Sequence, residues 1–313
     1  MKRYRIGNWS EYNTSLINRG SLTVWFDQDS LQKWASTGEA KKRGRPQIYS
    51  DDAIVMLLVI REVFHLPLRA LQGFAHTVFS LMGLDLQVTS YTQICRRSQK
   101  LDRKLSRLKR RGPINLIFDS SGLKIFGEGE WKVRKHGASK RRTWKKIHFA
   151  VDANSQQIIC CKLSERDDGD AQVAESMLDE IQASLGTVFG DGAYDAHSFR
   201  AAVHVLGGKV LVPPPKHARY KHAKDGWERE RDASLAEILG LGGDETARKL
   251  WKKLTGYHTR SLGETAFFRL KQVIGGDLKS RVRESQLTEV QCKAMALNRM
   301  SELGLPRGHW VEA

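Results

Sequence analysis

Cysteine is scarce in this chain, and what there is forms no metal or redox pattern. Cys95, Cys160, Cys161 and Cys292 are the four present in 313 residues, with no Cys-x-x-Cys pair and no Cys/His spacing suited to zinc. Cys160 and Cys161 are adjacent in a β-like run over 157–163 and point to opposite faces, so buried or half-buried thiols in a reducing compartment are expected. Long apolar runs are missing as well. The longest, 53–60, is far too short to span a bilayer and runs straight into Arg61 and Glu62. Met1-Lys2-Arg3-Tyr4-Arg5 leads into polar residues and not into an apolar signal region. A cytoplasmic location without a membrane partner is therefore expected. No internal repeat or low-complexity tract stands out.

Acid is in short supply too. The chain has 35 Asp and Glu against 52 Lys and Arg, a formal net charge of +17. The cations occur in dense runs, which is the electrostatic footprint of a polyphosphate partner. Nucleic acid is the partner this excess favours. With 40% hydrophobic residues, the chain can bury one large core or two modest ones.

The first segment, 1–48, is polar and carries Lys41-Lys42-Arg43-Gly44-Arg45-Pro46. A Gly-Arg-Pro core among cations has the pattern of a minor-groove arm, with Arg43 and Arg45 as its contacts; a plain basic linker has the same composition. From Ser50 a helical pattern begins, with Ser50 as cap, Asp51 and Asp52 at the positive end, and Ile54, Leu57, Leu58 and Arg61 at helical spacing. Pro67 opens a second helix. Thr89-Ser90 caps a third, which carries Arg96, Arg97, Lys100, Arg103, Lys104 and Arg107. Residues 49–111 thus read as a helical, helix-turn-helix-like DNA-binding region with Arg96 and Arg97 as contacts. An ordinary helical cluster with a solvated basic face is the competing reading.

After Arg111-Gly112-Pro113 the periodicity changes. Residues 114–118, 147–151, 158–163, 187–189 and 209–212 read as strands, and 170–183 and 198–206 as helices. Strands first, then alternating strand and helix, imply an α/β domain with a mixed sheet over 112–302, with 303–313 as a tail. The charged stretch 216–256 reads as an insertion with one helical core at 233–239. Helices follow at about 262–273 and 287–300.

Within this domain three acids stand out. Asp119 follows an apolar strand in Ile117-Phe118-Asp119-Ser120-Ser121-Gly122. Asp191 lies between glycines in Val188-Phe189-Gly190-Asp191-Gly192-Ala193-Tyr194-Asp195, where the backbone can approach a ligand closely. Each is equally readable as a turn residue. Asp195 competes with Asp191, yet it stands just ahead of the 198–206 helix, where capping accounts for it. A hairpin turn accounts for Asp152, and a loop and a cap for Asp167, Asp168 and Asp170. The third acid is Glu264. At about 100° per residue, positions 257, 260, 264 and 271 share one stripe of a helix, so Tyr257, Arg260 and Lys271 flank Glu264. Ser261-x-x-Glu264 is also a capping box, which makes Glu264 a helix cap and leaves Tyr257 and Arg260 ahead of the helix. Spacing alone leaves both readings open.

Tyr257, two residues, Arg260, three residues, Glu264, six residues, Lys271 resembles the signature of DDE-class bacterial insertion-sequence transposases. Four residues at fixed spacing arise by chance on the order of once in a hundred thousand starts. The settings of Asp119 and Asp191 are similar to that family's as well, in the right order, and over about 45–302 the chain most resembles the insertion sequence five family. The resemblance implies an RNase H-like core behind the helical region, with Asp119, Asp191 and Glu264 as catalytic ligands of two Mg2+ (or Mn2+) ions. It places Tyr257, Arg260 and Lys271 near transposon-end DNA. It also implies hydrolysis at terminal inverted repeats, leaving 3′-hydroxyls, followed by their attack on target DNA. Double-stranded DNA is then the partner. A homo-oligomer joins two ends in a synaptic complex, and such a bacterial protein is nucleoid-associated when bound. The 216–256 stretch departs from the family in its charge, and either shapes DNA contact or forms a disordered loop.

The basic stretch from Trp131 to Lys146 interleaves Trp131 and Trp144 with cations, which suits base stacking and phosphate contact; a charged hairpin with a tryptophan in the core is the alternative. Lys145 and Lys146 precede a strand, and one of them is expected to point toward the active cleft. Two other functions compete with transposition. An RNase H-like nuclease cuts without joining. A DNA-binding regulator derived from a transposase predicts a broken acid set, whereas all three acids are present.

Overall fold

Hydrophobic periodicity divides the chain into a helical part and a sheet part, and a computed structural model shows both. It describes residues 2–26, 28–36, 47–101, 112–125, 144–181, 183–223 and 226–312. Two units result, Met1–Arg103 with Ser280–Ala313, and Lys104–Lys279. No described helix is long and apolar enough to cross a membrane.

In the first unit, β1 (Lys2–Ile6) precedes α1 (Trp9–Asn18), α2 (Leu22–Trp25), α3 (Gln28–Gln32), α4 (Asp51–Val63), α5 (Leu68–Leu81) and α6 (Tyr91–Ser98). Ser50 Oγ accepts a hydrogen bond from the Ala53 amide at 3.0 Å, the expected cap. Apolar on nearly every side, α4 buries Ile54, Val55, Met56, Leu57, Leu58 and Ile60, as a helix enclosed by its neighbours must. The polar-looking 1–48 segment supplies core of its own. Trp25, Phe26 and Trp34 are buried, and Phe79 of α5 meets Trp34 edge-on at 4.9 Å. A few large rings suffice here, which a composition average hides.

In the second unit, β2 (Ile114–Ile125), β3 (Trp144–Asp152) and β4 (Ile158–Glu165) are followed by α7 (Asp170–Leu178), β5 (Leu185–Phe189), α8 (His197–Val205) and β6 (Lys209–Leu211). The strand order is β4-β3-β2-β5-β6, antiparallel over the first three and parallel from β2 to β5 to β6. Three antiparallel strands continued by helix-linked parallel ones make the RNase H-like arrangement. Alternation along β2 sends Leu116 and Phe118 to one face, packed with Met177, Phe199 and Val203 of α7 and α8. The opposite face carries Ile117 and Asp119. The insertion is ordered as α9 (Gly226–Gly240) and α10 (Glu245–Leu254), with Trp251 buried and its indole donating to Glu237 at 2.8 Å. Its described residues are no disordered loop. A 3₁₀ turn (Tyr257–Arg260) leads into α11 (Ser261–Arg269) and a π turn (Leu270–Ile274), and β7 (Asp277–Leu278) then pairs parallel with the end of β2.

The chain returns to the first unit through α12 (Arg283–Leu303) and β8 (Gly308–Glu312), which pairs antiparallel with β1. α12 belongs with the N-terminal helices in the first unit. Its buried Lys293 explains this, lying 3.3 Å from Glu62 of α4 and 3.7 Å from Glu289. A buried charge of this kind needs its partners, so α12 is fastened where they are.

Arg97 is similarly committed. Its guanidinium donates to the Tyr49 carbonyl and pairs with Asp51, tying α6 to the start of α4, whereas Arg96 is exposed. Arg43, Arg45, Arg103, Lys104, Arg107 and the 131–143 stretch lie outside the described residues. Arg97→Glu is expected to cost about 1–3 kcal/mol in denaturant unfolding. Arg96→Glu should stay within about 0.5 kcal/mol of the parent. Equal losses would show that Arg97 is no pin.

Candidate active site

Asp119, Asp191 and Glu264 reach one neighbourhood from three different elements. Asp119 sits on the β2 face that α11 covers. Asp191 follows the end of β5, and Glu264 lies in the first turn of α11. Gly263 allows the approach: a side chain there would meet Ile117 Cγ2 at 3.0 Å and Asp119 Cβ at 3.1 Å. Helix and strand therefore meet at a residue with nothing to intrude. Nearby, Phe149 of β3 stacks on Phe267 of α11 at 4.5 Å and keeps the helix against the sheet.

Arg260 stands between the first and third acids. It pairs with Glu264 and approaches Asp119 Oδ2 at 4.0 Å, while Asp119 Oδ1 accepts from the Ser120 amide at 3.0 Å. Asp191 Oδ1 accepts from the Ala193 amide at 2.9 Å and caps the 3₁₀ turn Gly192–Tyr194. Burial pushes the Asp119 carboxyl up to about 6; the charges of Asp191 and Glu264 add to the rise, against the Ser120 amide and Arg260. Burial likewise pushes Tyr257 up to about 12, with the same three acids contributing and Arg260 opposing. Burial disfavours the Arg260 charge, yet Tyr257, Glu264 and Asp119 hold its pKa above the ordinary value. These five residues share one electrostatic environment.

The capping-box reading of Glu264 fails on backbone geometry. The turn Tyr257–Arg260 runs directly into α11, and Arg260 at φ −53°, ψ −31° is already helical, with no side-chain cap bond. Tyr257 departs from expectation in another way. It is 8% exposed and its hydroxyl donates to the Gly190 carbonyl at 2.9 Å, so its polar group is engaged inside the protein. Lys271 is exposed, its ammonium donating to Ser121 Oγ at 2.7 Å, two residues beyond Asp119 on β2. Register places Lys145 on the Asp119 face, paired with Glu165. Lys146 points to the other face and donates to Asp170 at 2.8 Å. Asp170 is therefore an ion-pair partner at the first position of α7 and not its cap, and it also accepts from Ser120 Oγ at 3.1 Å. Trp144 lies under the Lys124 ammonium at 5.8 Å.

Sequence reading missed Arg200 and Arg231. Asp195, read as a helix cap, instead accepts from Arg200 Nε at 2.7 Å and from Arg231 at 3.2 Å, while α8 starts after Ala196. Arg200 left a trace, as a cation beside Phe199 and Val203 on the apolar side of α8. Arg231 left none, sitting in a run of alternating charges.

The donor chemistry suits a hard divalent cation, since the cluster offers carboxylate oxygens and strains Asp119 with like charge. Among the described residues no three acids, histidines or cysteines close around a single point, and Arg260 supplies the counter-charge between Asp119 and Glu264. Because the folded state holds the Asp119 proton more tightly than the unfolded chain, stability from this group is lost as pH rises through about 6. Asp119→Asn is therefore expected to melt a few degrees above the parent at pH 8, the gain vanishing near pH 4. Thermal midpoints across this range check it, and an equal midpoint at pH 8 would refute a strained carboxylate.

Two family models, both described as a transposase DDE domain, match residues 110–299 and 17–128. The chain is also similar to solved structures. A piggyBac transposase synaptic complex with hairpin DNA is 10% identical, covering 91% of this chain and 73% of that chain, with a TM-score of 0.42. A Drosophila P element transposase strand transfer complex is 12% identical, covering 86% and 70%, with a TM-score of 0.29. A simian T-cell lymphotropic virus intasome in complex with PP2A regulatory subunit B56 gamma is 15% identical, covering 74% and 74%, with a TM-score of 0.24. The 110–299 match spans most of the sheet unit and all three acids, and the chain belongs to the transposase DDE-domain family.

Proposed function

We propose that this protein cuts DNA at the terminal inverted repeats of a mobile element and joins the freed 3′-hydroxyls to target DNA. Asp119, Asp191 and Glu264 hold two divalent ions, Mg2+ or Mn2+, in this reading. The observation that carries it is the shared environment of three acids, on β2, just past the end of β5 and on α11. When bound, such ions supply Lewis-acid stabilisation for in-line displacement at phosphorus, in both cutting and joining. The protein's own groups bind and orient. Lys271 and Arg260 border the acids and suit phosphate oxygens, Arg260 by its planar fork and Lys271 as a point charge. Arg260 offsets the charge of Glu264 and Asp119. The net charge of +17 fits a long double-stranded DNA partner, and joining two ends calls for a homo-oligomer.

Glu264→Gln is expected to reduce Mn2+-dependent cutting of end-containing DNA to background while leaving DNA affinity unchanged. Persistent cutting would remove Glu264 from the ligand set. Supplied with a pre-cut end and target DNA, the parent protein should join them. Cutting without joining would establish the nuclease reading, and DNA binding without either would establish the regulator.

A further inference from the structure

The loop 190–195, which carries Asp191, is gripped on both sides. Ahead of Asp191, the Gly190 carbonyl accepts from the buried Tyr257 hydroxyl at 2.9 Å. A side chain on Gly190 would meet the Tyr194 ring at 2.7 Å, so this stretch lies flat on a buried tyrosine. Behind Asp191, the Asp195 carboxylate is 4% exposed and accepts from Arg200 Nε at 2.7 Å and Arg231 Nη2 at 3.2 Å. Arg200 comes from α8 and also donates to the Val210 and Val212 carbonyls, each at 3.3 Å. Arg231 comes from α9, within the insertion. Tyr257 follows the insertion directly and packs against Trp251 and Lys252 of α10, with ring centroids 6.4 Å apart and the ammonium 5.5 Å from its ring.

We propose that the insertion is a positioning clamp for the second acid: Arg231 and Tyr257 fix the two flanks of the 190–195 loop and so set where Asp191 stands relative to Asp119. This rests on the reading of Asp191 as a metal ligand. The burial of the clamp residues argues for it. Arg231 is 13% and Tyr257 8% exposed, and their polar groups are spent on Asp195 and Gly190, not offered to a ligand. Two independent contacts straddle one acid, which is how outer groups aim a ligand they do not touch. Asp195 keeps Arg200 when Arg231 is removed, so the loop is loosened without stranding a buried charge.

The test uses the full chain, with Mn2+ as the probe. Arg231→Gln and Tyr257→Phe are each expected to weaken Mn2+ binding to the DNA-free protein, followed by electron paramagnetic resonance, by about tenfold. The Mn2+ concentration for half-maximal cutting should rise in step, while in Arg231→Gln kcat at saturating Mn2+ and DNA affinity stay near the parent's. Arg231→Lys keeps the charge without the fork and should fall in between, and thermal midpoints separate loosening from unfolding. Unchanged Mn2+ binding in both variants, with the parent active, overturns the clamp alone. A fall in DNA affinity at unchanged Mn2+ binding overturns it in favour of direct DNA contact by the insertion. A parent that neither binds Mn2+ nor cuts removes the reading of the three acids, and the clamp with it.

Discussion

At one point a helix lies on a strand with no side chain between them. Gly263 of α11 rests on Ile117 and Asp119 of β2, the central strand, and its neighbour Glu264 is thereby carried close to Asp119. Strand alternation puts Ile117 and Asp119 on one face, the residue between them belonging to the core beneath α7 and α8. The same contact that brings the third acid in also buries the first. Burial is the largest cause of the lifted Asp119 carboxyl, and the close approach of α11 at Gly263 contributes to that burial. Shifting α11 outward to relieve Asp119 would withdraw Glu264 as well.

Like charge gathered in a half-buried place destabilises the free protein and favours whatever cation enters. Arg260 partly offsets this. It comes from the turn just ahead of Glu264, and its pairing with Glu264 stays within one segment of chain. Asp195 sets a contrast four residues after Asp191. Two arginines neutralise it and hold it at 4% exposure, so it is a structural carboxylate for which no further cation is needed. Two acids on one loop thus divide into a functional candidate and an anchor according to what faces them.

The sheet was largely legible from sequence because its signals are local. The apolar runs at 114–118, 147–151 and 158–163 each fall inside an observed strand, and Ser50 caps α4 as its position suggests. Legibility ends where the determining contact is distant in sequence. Nothing near Asp195 announces Arg231, 36 residues away, and nothing near residue 287 announces that Lys293 belongs beside Glu62. Tyr257 and Glu264 were placed together by family resemblance, but the assignment of Tyr257 to DNA did not anticipate its burial. A motif preserves spacing and not the direction in which each side chain points.

That spacing has a physical reading once the four residues are seen in place. Tyr257 reaches back to the Gly190 carbonyl beside the second acid, and Arg260 reaches sideways to Asp119 and Glu264. Glu264 stands one residue past the glycine that admits the helix. Lys271, two turns further on, reaches Ser121 at the far side of Asp119 along β2. The 3₁₀ turn, at three residues per turn, brings Tyr257 and Arg260 onto one side of the segment, and Lys271 lies in the π turn. Four separate distances from one segment to β2 and β5 are therefore met by one sequence of helical turns. A residue inserted anywhere between Tyr257 and Lys271 would rotate the later contacts by about 100° relative to the earlier ones, so that all four could not be met at once.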